Sequence, residues 1–141
     1  MSAREDAAAL LGRALMSLLF IQGGLAKLGA SAAVTATIAK AGLPAPDLAY
    51  VVAVCIELGL GLALLLGLFT RLSGLVLAVF CVVTAAYFHS NWADHNMQIH
   101  FWKNVAMAGG FLYVAGFGAG RFSHCTTRQP GLRYRQPHCR L

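Results

Sequence analysis

Charge is scarce in this chain. Five Asp and Glu with eleven Lys and Arg make up 11% of its 141 residues, where about 25% is usual for a soluble domain. Apolar residues reach 58% against about 45 to 50% ordinarily, so a disordered chain, an acidic scaffold and a soluble nucleic-acid binder are poor fits. The net charge of +6 does not rescue the last of these, because Arg128, Arg133, Arg135 and Arg140 supply four of it in an acid-free stretch after residue 123. No Cys-x-x-Cys pair occurs among the four cysteines, which weakens a thiol oxidoreductase. Cys55 and Cys81 sit singly in apolar runs, where packing explains them; Cys125 and Cys139 lie in the tail. An iron–sulfur ligand set and a flavin loop are also missing. Gly118-Ala119-Gly120 follows a helix end and reads as a terminator rather than a dinucleotide loop.

What is present is a series of apolar runs of membrane length. The first, from about Ala7 to Leu28, is broken only by Arg13, Gln22 and Lys27, and as a helix it reaches about 33 Å, enough for a hydrocarbon core of about 30 Å. Glu5 and Asp6 stand where an export signal would be positive, so a retained span is expected. Gly29 to Asp47 is weakly apolar and closed by Gly42, Pro44 and Pro46; Val34, Ile38 and Ala41 recur at helical spacing, which predicts a short interfacial helix or ordered loop. Leu48 to Phe69 is a second span with one charge, Glu57. A tight turn at Thr70-Arg71 leads to a third, Leu72 to Phe88, and a polar connection holding Trp92 as interfacial anchor leads to a fourth, Ile99 to Phe117. The predicted fold is all-α: an integral membrane, antiparallel four-helix bundle over residues 1–123, tight because of its many helical glycines.

Four crossings put both termini on one side. Arg4, Arg13, Arg71 and Arg121 lie toward that side and Lys27, Lys40 and Lys103 toward the other, so the positive-inside rule places the termini in the cytoplasm. Residues 124–141 have no apolar periodicity. They read as a cytosolic extension, a basic contact with lipid headgroups, or residues of cloning or reading-frame origin.

The polar residues inside the apolar runs carry the chemistry. Glu57 lies about 14 Å into the second span, near the midplane, where a carboxylate needs a partner, a proton or a polar cavity. Lys103, about 6 Å inside the fourth span, is the favoured partner, with Lys27 the alternate. His100, Lys103 and Asn104 share one helix face, Gln22 is about 9 Å from the outer end of the first span, and His89 closes the third. Together they outline a pocket in the outer half, with His89 and His100 above and Glu57 below. Such a pocket suits a quinone head group: its carbonyls need donors, its reduction needs protons, and its tail can lie among apolar helices. A structural network without turnover fits the same residues. His89, Asp94, His95 and His100 match neither a zinc knuckle nor a His-Glu-x-x-His helix, so no metal site is assigned.

In order and spacing, the first-span arginine with FIQGGLAKL, AGLPAP followed by Glu57, GLFTRLSG at the turn, the His89 helix end, and HFWKNVAMAGG leading to GFGAGRFS resemble the DoxX family, a group that includes the DoxD-like proteins. The resemblance covers about residues 9–123 and departs at His124-Cys125. It implies a multi-pass bacterial inner-membrane protein with Glu57, Lys27 and Lys103 as polar core. Some relatives are linked to thiosulfate:quinone oxidation and others to membrane-associated oxidoreductase assemblies. The resulting expectation is a quinone-linked redox subunit in which Glu57, Lys103 and His100 act on the quinone, Gln22, Lys27, His89 and Asn104 bind it, and a membrane-associated oxidoreductase partner supplies electrons. Membrane lipids are the surrounding partner and nucleic acid is not. The alternatives are a noncatalytic anchor or assembly factor, and a small-solute transporter built as an oligomer.

Overall fold

With no water in a bilayer core to satisfy backbone N–H and C=O groups, an apolar chain of this kind must close its hydrogen bonds within helices. The computed structural model describes residues 3–118, and every regular element in it is helical. Helix α1 (Ala3–Gly29) is followed at once by α2 (Ser31–Lys40), whose Ile38 is buried. Gly42, at φ 78°, ends that short helix. Pro46 then opens α3 (Pro46–Cys55), a position where proline loses no helical hydrogen bond. The preceding Ala45 is held at φ 48°, a left-handed conformation that a Cβ and a following proline both disfavour.

A π turn, Ile56–Leu60, continues α3 into α4 (Gly61–Leu66), so Pro46–Leu66 is one apolar rod. It ends in a Schellman motif: the Gly67 N–H donates to the Leu64 carbonyl at 3.1 Å and the Leu68 N–H to the Ala63 carbonyl at 2.8 Å, with Gly67 at φ 75°. The turn therefore lies at Gly67–Phe69. Thr70-Arg71, expected to be the turn, begins α5 (Thr70–Phe88). Asp94 caps α6 (His95–Phe117), its carboxylate accepting from the Asn96 N–H at 2.9 Å.

The core is built from Phe20, Leu64, Leu77, Ala78, Cys81, Ala108 and Phe111. Phe20 meets Phe111 edge-on at 5.1 Å and Phe80 at 6.2 Å, tying α1 to α5 and α6. At Gly74 the α5 and α6 backbones come so close that a Cβ would lie 2.9 Å from the Phe111 carbonyl oxygen. The surface has the opposite pattern from a soluble bundle. On α1, Asp6, Arg13, Ser17, Phe20 and Gly24 face inward while Leu11, Leu15, Leu18, Leu19, Leu25 and Leu28 face outward. Asp6 and Arg13 are both partnered. Leucines outside and charges inside are what hydrocarbon requires.

Among the described residues, three helical segments are long and apolar enough to cross a membrane: Asp6–Gly29, Pro46–Leu66 and Thr70–Phe88. Three of the four expected spans are thus present by length and composition. The fourth helix forms and starts earlier than expected, at His95, but its first three turns carry His95, Asn96, Gln98, His100, Lys103 and Asn104. Those residues take it out of the class of helices that composition alone sends across a bilayer.

Candidate functional site

Glu57 sits in the first turn of the π segment, 6% exposed. Its partner is Lys27, not the favoured Lys103: the ammonium Nζ donates to Oε1 at 2.8 Å and also lies 2.8 Å from Oε2. The reason lies in side-chain direction. A helical Cβ tilts toward the helix N-terminus, and the two lysines are on helices running in opposite senses. On α1 that tilt carries Lys27 back toward Glu57, and on the π turn that continues α3 it carries Glu57 toward Lys27. On α6 the same tilt carries Lys103 toward the His95 end and away from the carboxylate.

Gly24 lets α1 come this close, while Gly23 beside it stands in ordinary contact distance of the carboxylate. A Cβ on Gly23 would stand 3.6 Å from Glu57 Oε2, and one on Gly24 would fall 2.7 Å from both Cγ and Cδ2 of Leu58. The Tyr50 hydroxyl donates to the Lys27 carbonyl at 3.3 Å, fixing the end of α1 against α3. Glu57 Oε2 is buried, and the same ammonium, 2.8 Å away, is the charge that faces it. The Lys27 side chain keeps 29% exposure, so an incoming acceptor can reach the ammonium. Placed on a π turn, a rare irregularity that recurs at functional sites, the pair has the donors and acceptors to hold a carbonyl compound.

The remaining expected residues form a second group. His89 and His100 stack with ring centroids 5.1 Å apart and planes 26° from parallel. Asn104 is committed to its own helix, donating from Nδ2 to the His100 carbonyl at 2.9 Å. Lys103 is exposed and forms no ion pair with any described residue. Burial holds the His89 imidazole below its ordinary pKa, and the positive charges of His100 and Lys103 add to the effect. Gln22 is exposed on α1 and joins neither group. Two shallow recesses occur among the described residues, and Lys27, Glu57, His89, His100 and Lys103 line neither. A groove of about 540 Å³ lies between α2 and α3, lined by Ser31, Thr35, Ala39, Asp47 and Tyr50 among others. An apolar one of about 190 Å³ lies between α1 and α6, lined by Leu15, Met16, Leu19, Phe20, Met107 and Phe111.

Cys81 is buried in the core and Cys55 is exposed. No group of three His, Cys, Asp or Glu able to hold a metal occurs among the described residues. The buried Asp6, Arg13 and Ser17 were not singled out as site residues. Their spacing along α1 with Phe20, Gly24 and Lys27 was the available signal, since all six share one helix face. The basic tail at 124–141 and Arg121 lie outside the described residues.

The DoxX family model matches residues 8–90. The chain belongs to the DoxX family. It is similar to inner membrane protein YqjF of Escherichia coli (strain K12), 39% identical over 119 residues that cover 84% of this chain and 90% of YqjF. It is also similar to inner membrane protein YphA of the same organism, 34% identical over 119 residues covering 81% of this chain and 85% of YphA. No solved structure matches it. This DoxX protein is a multi-pass protein of the inner membrane, as its family and its three apolar helices require.

Proposed function

We propose that this DoxX protein is a quinone-linked redox subunit acting with a partner oxidoreductase, and that Lys27 and Glu57 hold the quinone head group. The observation that carries the reading is a buried carboxylate held by an ammonium whose side chain keeps 29% exposure and so remains reachable. A quinone bound there would supply an acceptor for two electrons and two protons. The electrons come from the partner. In this reading the Lys27 ammonium donates to one carbonyl oxygen, polarising it where charge develops on reduction. Glu57 holds Lys27 in place and offers a proton-carrying site next to it. The apolar recess beside Phe20 lies about two to three turns below Lys27 along α1 and suits a hydrocarbon tail.

The same reading makes α6 a fourth crossing. Its 23 residues reach about 34 Å, and it is locked to α5 at Gly74. Both termini then lie in the cytoplasm by the lysine and arginine balance.

Native mass spectrometry of protein extracted gently from its own membrane tests the proposal. A quinone bound to wild type and to Lys103→Met, and lost from folded Glu57→Gln and Lys27→Met, is the expected result. A reproducible protein partner with no quinone would turn the assignment to a noncatalytic anchor.

A further inference from the structure

The group of one lysine and two histidines at the outer ends of α5 and α6 is left unexplained by the Lys27–Glu57 site. It gathers His89, His100 and Lys103 with no carboxylate paired to any of them among the described residues. Lys103 is one turn deeper than His100, but the N-terminal tilt of its Cβ brings the ammonium up toward the level of the two rings. Aromatic side chains ring the same depth. Tyr87, Trp92 and Trp102 are all more than half exposed, and Trp92 is steadied against Phe101 at 5.0 Å. Exposed Tyr and Trp mark the headgroup layer of a bilayer. Beneath them, Val82 and Val83 on α5 and Val105 on α6 are exposed and offer an apolar bed to acyl chains.

We propose that the outer ends of α5 and α6 form a binding site for the phosphate of an anionic phospholipid, held by Lys103 and the His89–His100 stack, with its chains against the two helices below. The site is independent of the quinone reading. A phosphate diester brings a full negative charge and acceptor oxygens to the Lys103 ammonium and the imidazole N–H donors, while the Asp94 carboxylate at the start of α6 is taken up by its cap on the Asn96 N–H. The headgroup is favoured over free phosphate because the aromatic girdle sets the cluster at lipid depth and the chains add apolar contact.

The test is native mass spectrometry of the full chain in a mild detergent, titrated with phosphatidylglycerol or phosphatidylcholine of matched chains, or with inorganic phosphate. Phosphatidylglycerol is expected to bind at least fivefold more tightly than phosphatidylcholine. Lys103→Gln should weaken it about fivefold. Lys40→Gln removes an exposed charge at the end of α2 and should change binding less than twofold. Equal binding of the two lipids overturns the proposal, and that comparison needs only wild-type protein. Equal losses in the two lysine variants overturn it as well, because they mean diffuse surface attraction. Inorganic phosphate binding as tightly as the lipid overturns the headgroup assignment.

Discussion

Substituting Gly24 by alanine tests whether the α1–α3 crossing is built around a missing Cβ. The added methyl group would lie 2.7 Å from both Cγ and Cδ2 of Leu58 and 3.3 Å from Glu57 Cβ. Because Cγ is as close as the terminal methyl, rotating the end of Leu58 does not clear the space, and either its χ1 or the helices must move. Overpacking of this kind costs about 1–3 kcal/mol. Against it stands the helix preference for alanine over glycine, about 1 kcal/mol. Gly109→Ala supplies the reference: it is helical, exposed, and a Cβ there meets nothing within 4 Å, so the intrinsic gain is common to both variants and cancels. Gly24→Ala should therefore be less stable than Gly109→Ala by about 1–3 kcal/mol, read as reversible unfolding in detergent micelles by Trp fluorescence. Equal stability of the two variants would refute the close approach that brings Lys27 to Glu57.

Four other outcomes follow from the same geometry. Lys27→Met should destabilise by about 3 kcal/mol by leaving a buried carboxylate without its cation, and Lys27→Met with Glu57→Leu should recover most of that loss; denaturant unfolding of the three proteins checks it, and a larger loss for Lys103→Met would contradict the pairing. Ala45→Gly should stabilise by about 1 kcal/mol because only glycine adopts φ 48° without strain; a lower melting temperature would count against that turn. Asp94→Ala should cost about 1 kcal/mol through loss of the α6 cap, measurable as faster amide exchange at Asn96. The lowered His89 pKa means the folded state resists protonation, so its contribution to stability is complete above the ordinary imidazole value and is lost as pH falls below it toward the lowered one. His89→Gln should flatten that acid-side decline in a pH series of melting temperatures.

Much of the architecture could be read from residues because lipid imposes simple rules. The long apolar runs, the Pro46 entrance and the breaks after Gly42 and before Thr70 all fall out of length and turn chemistry. The expected turn was displaced from Gly67–Phe69 because Thr70-Arg71 is the most polar dipeptide there, while the decisive signal was the glycine at the helix end. The π turn was not legible: nothing in Ile56 to Leu60 distinguishes it from an α-helical run, and tertiary packing decides it. Glu57 stood out at once as an intramembrane acid. Its partner was misjudged from depth alone, although the opposite senses of α1 and α6 already favoured Lys27 once side-chain tilt is considered. Gln22 looked like a site residue by depth, but it lies on the exposed side of α1, away from the Gly23-Gly24 contact.

The claim that Lys27 and Glu57 hold a quinone is tested most directly by infrared difference spectroscopy on protein reconstituted with carbonyl-labelled ubiquinone. In wild type and in Lys103→Met, one labelled carbonyl band should shift to lower frequency through its hydrogen bond to the Lys27 ammonium, and Lys27→Met should abolish the shift. A shifted band that survives in Lys27→Met and disappears in Lys103→Met would contradict the account and return the site to the outer ends of α5 and α6.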